Sequence, residues 1–497
     1  MSKSIPASEQ VKRIHAVLIA PAVLAFSLCH TSPALAHAFG QRYDLPLPLW
    51  LYISGAGAVV ALSFTVMALF FRRLNGSREA LRLDLLGLPG LRWIGCRAIV
   101  IAVEISAVST FVFILWASFA GAQEVSENIA PTFIWVIWWV GLAFFSALIG
   151  NLWDLVNPLR ILFAWAERLV GPFAVPESYP PRLGYWPAVA LFFGFVWLEL
   201  IAQGAETPLN LGLLITAYAV FTWTGMAVFG GAHWLKHGEV FSVVFGLLTR
   251  FAPLAGEERR LWLRLPAAGL LGRQPLPTSQ ICFVILLLTS VTFDGILETP
   301  LWKSILNWIA ESQASRGTLL VLQQAGVDLL LFIKTLALVV LPGLFGAVFV
   351  ATCWLVGRAG GQRVPQEIPL RELAGWFILS LVPIAIAYHM AHYLSYLLIA
   401  GQNIIPLASD PLGNGWDLFG TKSYRLDIGI VNAKMVWYVA VVAIVVGHVF
   451  AVYLAHATAL RVFSSNRQAL FSQLPMMALM VGYTMISLWV LSQPIVA

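Results

Sequence analysis

The hydrophobic pattern of this chain is a series of apolar runs, each long enough to cross a membrane, separated by short polar loops. About 20 apolar residues cross a hydrocarbon core of ~30 Å as a helix. We therefore predict an all-α fold, a polytopic helical bundle of about ten transmembrane helices. The run 240–254 is shorter, and we place it at the membrane interface or as a re-entrant piece. The predicted spans are 49–71, 98–120, 132–149, 187–201, 209–229, 281–297, 327–355, 373–399, 431–460 and 474–496.

Composition supports this reading and excludes a soluble domain. Of 497 residues, 59% are hydrophobic and only 11% are charged, whereas soluble domains carry about 25% charged residues. The net charge of +6 comes from Lys and Arg in short loops, which sets membrane topology and does not indicate nucleic-acid binding. The four cysteines stand far apart without a CxxC motif, so neither a disulfide framework nor a thiolate metal site is expected.

The N-terminal segment has the features of a secretory signal peptide. Basic residues precede an apolar run at 16–28, and small residues follow at Ala34 and Ala36. This order matches the A-x-A cleavage rule. We predict cleavage after Ala36, so that 1–36 is the signal peptide and 37–497 is a single multi-pass membrane domain.

Loop charge gives the orientation. With the mature N-terminus outside, every loop predicted to be cytoplasmic is rich in Lys and Arg, and the opposite loops are acidic or mixed, as the positive-inside rule requires. We predict that both termini lie outside. The basic positions include Arg72, Arg73, Arg160, Arg168, Lys236, Arg250, Arg358, Arg371, Arg461 and Arg467.

Ionisable residues within the spans indicate candidate chemistry, because each is costly at bilayer depth. His389 and His392 are three residues apart and share one helix face. The same topology places Asp294 and Glu298 in the outer half. Two imidazoles with two carboxylates suit a divalent ion such as zinc or manganese, so we predict an outward-facing metal site. Alternatively, the histidines bond to neighbouring helices and the carboxylates cap a helix end. Residues that could complete the site are Asp410, Asp417 and His37, whose amine and imidazole would chelate metal after signal cleavage.

A second histidine cluster is predicted in the span 431–460. His448 and His456 are eight residues apart, on about the same helix face and roughly 12 Å apart along the axis. With His233 and His237 on the same side of the membrane, a buried pair could ligate a b-type haem. Surface histidines at helix ends are the alternative. The chain contains no P-loop, HExxH or GxSxG motif, so familiar ATP-driven or hydrolytic machinery is not visible.

Several segments resemble a bacterial family of polytopic membrane proteins labelled fenitrothion hydrolase. The resemblance covers nearly the whole mature chain and would place the protein in the bacterial inner membrane. The matching segments are Ala36-His-Ala-Phe-Gly-Gln-Arg-Tyr-Asp-Leu-Pro-Leu-Pro-Leu-Trp-Leu51, Asn157-Pro158, Gly238-Glu-Val-Phe-Ser-Val-Val-Phe-Gly-Leu-Leu-Thr-Arg250 with Pro253, Ser409-Asp-Pro-Leu-Gly-Asn-Gly-Trp-Asp-Leu-Phe-Gly-Thr421, and the pattern Gly447-His448 to Ala455-His456.

The resemblance implies hydrolysis of an organophosphate triester, a hydrophobic small molecule that partitions into the bilayer. In this scheme His389 and His392 hold a metal ion that activates water. Asp294 or Glu298 is a ligand or the general base, and these two are the predicted catalytic residues. The residues that would line an apolar substrate cavity are Tyr388, Tyr393, Tyr396 and Trp416.

Two other functions remain open from the residues. Pro and Gly within spans, at 341–343 and at Pro383, suggest discontinuous helices of a transporter or a metal-handling protein. The histidines on the span 431–460 suggest a haem-bearing electron-transfer subunit that works with a second membrane subunit.

Overall fold

A computed structural model of the protein describes residues 47–70, 82–173, 179–257, 260–361 and 368–496. The predicted signal peptide and His37 lie outside the described residues. The described chain is a bundle of helices with one small sheet, which confirms the predicted all-α fold class.

The helices, in chain order, are α1 (Leu49–Phe70), α2 (Arg97–Ala120), α3 (Ile129–Leu148), α4 (Leu152–Val156), α5 (Pro158–Val170), α6 (Trp186–Leu200), α7 (Pro208–Phe229), α8 (Gly231–His237), α9 (Val240–Thr249), α10 (Thr278–Leu297), α11 (Pro300–Glu311), α12 (Gln313–Gln324), α13 (Leu329–Ala359), α14 (Leu370–Phe377), α15 (Val382–Ala400), α16 (Ile404–Ser409), α17 (Ala433–Val462) and α18 (Asn466–Val496). Short 3₁₀ turns lie at Arg92–Gly95, Val125–Glu127, Ala268–Leu270, Ile378–Leu381, Gly401–Asn403 and Ile428–Ile430.

Nine helices of the described chain are long and apolar enough to cross a membrane. They are α1, α2, α3, α7, α10, α13, α17, α18 and the nearly continuous run α14 to α16. Each corresponds to a predicted span, so the chain is a multi-pass membrane protein. The predicted span 187–201 forms α6, which has only 15 residues. The run 240–254 forms α9, whose side chains are mostly buried, so α9 lies inside the bundle and not on its surface.

The centre of the bundle is formed by α10, α15, α17 and α18. Helix α10 is buried along most of its length, and α17 packs against both α15 and α18. Gly447 permits the closest approach in this group. A Cβ atom there would lie 2.4 Å from Cβ of Ala387 and 2.8 Å from the carbonyl oxygen of Pro383. Only a residue without a side chain fits between these two backbones.

Two membrane helices depart from regular α-helical geometry. The middle of α3, Thr132–Gly141, is a π-helix, and the 3₁₀ turn Ile378–Leu381 directly precedes α15. A predicted break at 341–343 is wrong, because α13 continues through Pro342 without interruption. Helical residues stand on both sides of Pro342 in this 31-residue helix, and transmembrane helices commonly tolerate a proline.

The sheet lies outside the bundle core. It has three short antiparallel strands in the order β1-β3-β2: β1 is Leu83–Asp84, β2 is Leu254–Glu257 and β3 is Arg260–Leu263. Next to β1, an ion pair of 2.9 Å joins Arg82 to Glu257. The sheet therefore connects the segment before α2 with the segment before α10.

Candidate functional site

Asp294 is a buried carboxylate in the last turn of α10, and it contacts two consecutive side chains of α15. Its exposed fraction is 5%. Its Oδ2 atom lies 2.9 Å from Nε2 of His392 and accepts a hydrogen bond of 2.7 Å from the hydroxyl of Tyr393. A carboxylate inside a membrane helix requires such partners, because an unpaired charge there is strongly unfavourable. The contact between Asp294 and His392 is called the Asp294–His392 pair below.

The residue after Asp294 allows α10 to approach its neighbours. A Cβ atom at Gly295 would lie 2.6 Å from Val490 of α18 and 3.1 Å from the hydroxyl of Tyr388. Gly295 therefore leaves space beside the Tyr388 hydroxyl, one residue from the Asp294–His392 pair.

Glu199 brings a second carboxylate close to this pair. It lies one residue before the end of α6, and its Oε1 accepts a hydrogen bond of 2.7 Å from the indole N–H of Trp139. Trp139 belongs to the π-helical part of α3. The ring of Trp139 is also 6.1 Å from that of His389, centroid to centroid, which places Glu199 on the same side of α15 as His389. A carboxylate near the end of the short helix α6 and one in the last turn of the long helix α10 thus lie in the same buried part of the bundle.

His389 lies one helical turn before His392 but has different surroundings. Its ring centroid is 6.1 Å from Trp139, 5.7 Å from Phe144 and 4.8 Å from Tyr393. The centroid of Tyr393 is also 4.8 Å from that of His392, so Tyr393 contacts both imidazoles. Nε2 of His389 is buried without a hydrogen-bond partner in the described part of the chain.

The donors of the predicted metal site converge only in part. Asp294 and His392 are in contact, whereas Glu298 lies past the end of α10 and is exposed. His389 is surrounded by aromatic rings, and His37 is outside the described residues. Among the residues that the structure describes, no three His, Cys, Asp or Glu side chains are placed to hold a metal ion. The metal ion therefore stays a prediction.

The predicted substrate residues fall into two regions. Tyr388 is fully buried, and Tyr396 packs against Tyr393 with ring centroids 6.4 Å apart. Trp416 is instead 42% exposed, on the loop between α16 and α17. The three tyrosines lie near the Asp294–His392 pair, and Trp416 belongs to the loop surface.

Asp410 stabilises the loop that carries Trp416. Its carboxylate accepts hydrogen bonds of 2.8 Å from the amides of Asn414 and Gly415 and lies 3.0 Å from Nζ of Lys422. Burial acts to raise the pKa of Asp410, but the hydrogen bonds from Lys422, Gly415 and Asn414 outweigh it and hold that pKa below its ordinary value. These contacts give Asp410 a role in loop structure. Asp417 is also engaged, since it accepts from the amide of Lys422 at 3.0 Å.

The second histidine cluster is buried along α17. Nδ1 of His448 lies 2.8 Å from the carbonyl oxygen of Ile444, and Nδ1 of His456 lies 3.0 Å from Oε1 of Gln473. On α8, Nδ1 of His237 lies 3.1 Å from the carbonyl oxygen of His233. The described contacts of these nitrogens are made with protein oxygens. A haem between them stays a prediction.

Sequence reasoning gave no site role to Glu199 or Glu239. Glu239 is fully buried and accepts from the amides of Phe241 and Ser242 at the start of α9. It also bonds to the hydroxyl of Tyr218 and, at 3.3 Å, to the indole of Trp153. The available signal was an acidic residue directly before an apolar run, which is the position of a helix cap.

Comparisons with protein-family models, with curated proteins and with solved structures give no match for this chain.

Proposed function

We propose that the protein is a proton-coupled secondary transporter of the bacterial inner membrane, with the Asp294–His392 pair as its proton-binding site. The observation that carries this proposal is the 2.9 Å contact between Oδ2 of Asp294 and Nε2 of His392, buried between two membrane helices. Ionisable pairs at such positions typically belong to ion pathways and proton relays.

The helix segments around the pair support a transport site. Glu199 lies near the end of the short helix α6, Trp139 is in the π-helix of α3, and His392 is in a helix that follows a 3₁₀ turn. In secondary transporters, substrate and ion sites form where membrane helices are interrupted. Irregular backbone at membrane depth is tolerated where it is buried in protein or lines a cavity.

Coupling follows from the charge of the pair. With one shared proton, Asp294 and His392 have either neutral side chains or a carboxylate facing an imidazolium. Loss of that proton leaves a net negative charge beside Glu199, which is unfavourable in the bundle interior. Opening of the site to water, or entry of a cationic or hydrogen-bonding solute, stabilises this negative charge. Proton release is therefore coupled to opening of the site or to solute binding. Tyr393 donates to Asp294 and stabilises the carboxylate.

Charge movement in reconstituted protein tests this function without a known solute. The full chain in liposomes on a solid-supported membrane receives a rapid pH step, and we expect a transient current from proton binding. Asp294→Asn should abolish the current. Glu298→Gln is the matched control, because it changes an exposed carboxylate four residues further on, and it should retain the current. A wild-type signal equal to that of protein-free liposomes would refute the proposal.

A second candidate is the hydrolase that the family resemblance implies. The same contact favours it, because a carboxylate that orients an imidazole is the usual arrangement of a general base for water activation. His392 would take a proton from water as the water attacks the phosphorus atom, and a nitrophenolate would leave. Nitrophenol release from fenitrothion, measured by absorbance, distinguishes the two functions. Turnover by the wild type that is lost in His392→Gln supports the hydrolase, and absence of turnover leaves the transporter.

A further inference from the structure

Three residues around Tyr483 of α18 each carry a buried polar atom that has no hydrogen-bond partner among the residues that the structure describes. The three atoms are the hydroxyl of Tyr388, Nε2 of His448 and the hydroxyl of Ser487, and each residue is 0% exposed. The ring of Tyr483 is 6.5 Å from that of Tyr388 and 6.3 Å from that of His448, centroid to centroid. Ser487 is one helical turn after Tyr483. In the described part of the chain, α15, α17 and α18 thus each contribute a residue with an unsatisfied polar atom to the surroundings of Tyr483.

The tautomer of His448 defines what its free nitrogen can bind. Nδ1 lies 2.8 Å from the carbonyl oxygen of Ile444, and a carbonyl oxygen only accepts hydrogen bonds. In the neutral ring, Nδ1 therefore carries the hydrogen and Nε2 presents a lone pair. The hydroxyls of Tyr388 and Ser487 can donate or accept. Such a set of donors and acceptors fits water, which usually occupies buried sites lined by several unsatisfied polar groups.

Tyr388 also lies beside the Asp294–His392 pair. The ring of Tyr388 is 6.5 Å from that of His392, and Gly295 leaves space beside its hydroxyl. On another side, Tyr483 bonds to Thr292 of α10. Two turns along α17, roughly 12 Å by helix geometry, is His456, which bonds to Gln473 of α18.

We propose that Tyr388, His448 and Ser487 bind a cluster of internal water molecules that extends the Asp294–His392 pair into a proton path along α17. A proton released from the pair passes to a neighbouring water, and each water gives up one proton as it receives another. Nε2 of His448 accepts the proton, and the resulting imidazolium returns it to the next water toward His456. No bond other than O–H and N–H bonds forms or breaks.

The water cluster can be tested independently of transport. X-ray radiolysis of the full chain in detergent produces hydroxyl radicals from water in place, and these modify adjacent side chains. We expect modification of Tyr388 and Tyr483 although both are buried. Phe283 of α10, which is also 0% exposed, is the control that should stay unmodified. Modification of both tyrosines at or below the level of Phe283 would overturn the water site.

A pair of serine variants sharpens the test. Ser487→Ala removes one of the three polar atoms, and we expect modification of Tyr483 to fall by about tenfold as water loses a hydrogen bond. Ser146→Ala is the matched control, since Ser146 is also fully buried and its hydroxyl has no partner among the described residues, but it lies on α3. If Ser487→Ala and Ser146→Ala changed the modification of Tyr483 equally, the water would not be bound at Ser487.

The path itself rests on the proposed function and has its own measurement. His448→Leu should slow the pH-step current by about a hundredfold, the lower end of the loss expected when one proton-transfer group is removed, while infrared difference spectra still show protonation of Asp294. An unchanged current would refute the path. If the tyrosines are modified but the wild type gives no current, the proposed function fails and the water site remains.

Discussion

Nε2 of His392 lies 2.9 Å from Oδ2 of Asp294, and this contact joins α15 to α10 inside the bundle. The side chains of both residues are 8% exposed. At such burial, loss of either residue removes from the other a hydrogen-bond partner that water does not readily replace.

This interdependence predicts non-additive stability. Asp294→Leu and His392→Leu should each lower the free energy of unfolding by about 3 kcal/mol, because each breaks one buried polar contact and leaves the other side chain in the bundle interior. The double variant should lose at least about 1 kcal/mol less than the sum. Thermal unfolding in detergent measures all four proteins of the cycle. Strict additivity would show that the contact has no energetic significance.

The close contact at Gly447 predicts a packing defect. Gly447→Ala would place a methyl group 2.8 Å from the carbonyl oxygen of Pro383, so α17 must move away from α15, at a cost of about 1–3 kcal/mol. Gly482→Ala on α18 meets no atom within 4 Å and should stabilise its helix by about 0.5–1 kcal/mol. The thermal unfolding temperature should therefore fall in Gly447→Ala and rise in Gly482→Ala. A shift of both variants in the same direction would contradict the packing described.

Two acidic helix caps with the same hydrogen-bond pattern should differ in importance. Glu239 accepts from the second and third amides of α9 and is fully buried, whereas Asp328 accepts likewise at α13 and is exposed. Asp328→Ala should cost about 1 kcal/mol. Glu239→Ala should cost about 3 kcal/mol, because the freed amides and the Tyr218 hydroxyl cannot reach water. In Glu239→Ala, hydrogen exchange at the amides of Phe241 and Ser242 should also accelerate. If Glu239→Ala and Asp328→Ala lost equal stability, the start of α9 would not be shielded from water.

The lowered pKa of Asp410 predicts acid sensitivity of the loop before α17. Above its ordinary value of 3.8, the carboxylate is charged in the folded and the unfolded chain, and its contribution to stability is complete. As the pH falls below that value, the unfolded chain binds the proton first, and the contribution is lost progressively until the pH passes the lower pKa of the folded state. Protection of the Asn414 and Gly415 amides, corrected for intrinsic exchange, should fall over this interval.

A variant with an uncharged side chain at position 410 separates this effect from general acid unfolding. Asp410→Asn loses the ion pair with Lys422, so its loop should exchange faster already at neutral pH and show no further dependence in the acid range. Wild-type protection that persists at pH values well below 3.8 would contradict the assignment.

Much of the fold follows from hydrophobic run length. A run of about 20 apolar residues has few alternatives to a spanning helix, and nine predicted spans agree with α1, α2, α3, α7, α10, α13, the α14–α16 run, α17 and α18. The break predicted at Pro342 does not occur, because a single proline need not interrupt a long membrane helix whose flanking turns are helical.

The candidate site was less accessible to sequence reasoning. Spacing places His389 and His392 on one face of α15, but these helices are apolar all round, and their pattern does not say which neighbour each side chain meets. Packing directs His392 to Asp294 and His389 to the aromatic rings of Trp139 and Phe144. Glu199 reaches the site because α6 ends within the bundle, which no local signal in the sequence encodes.

The π-helix of α3 makes the site sensitive to chain length. A π-helical turn accommodates one more residue than an α-helical turn, so Thr132–Gly141 holds a local surplus of residues. Deletion of a single residue before Trp139 would let the segment relax to an α-helix, which preserves the register of the flanking turns but rotates the side chains of the altered turns by about 100°. The indole of Trp139 would then leave Glu199, so we expect a one-residue deletion here to be more damaging than most substitutions at the same positions.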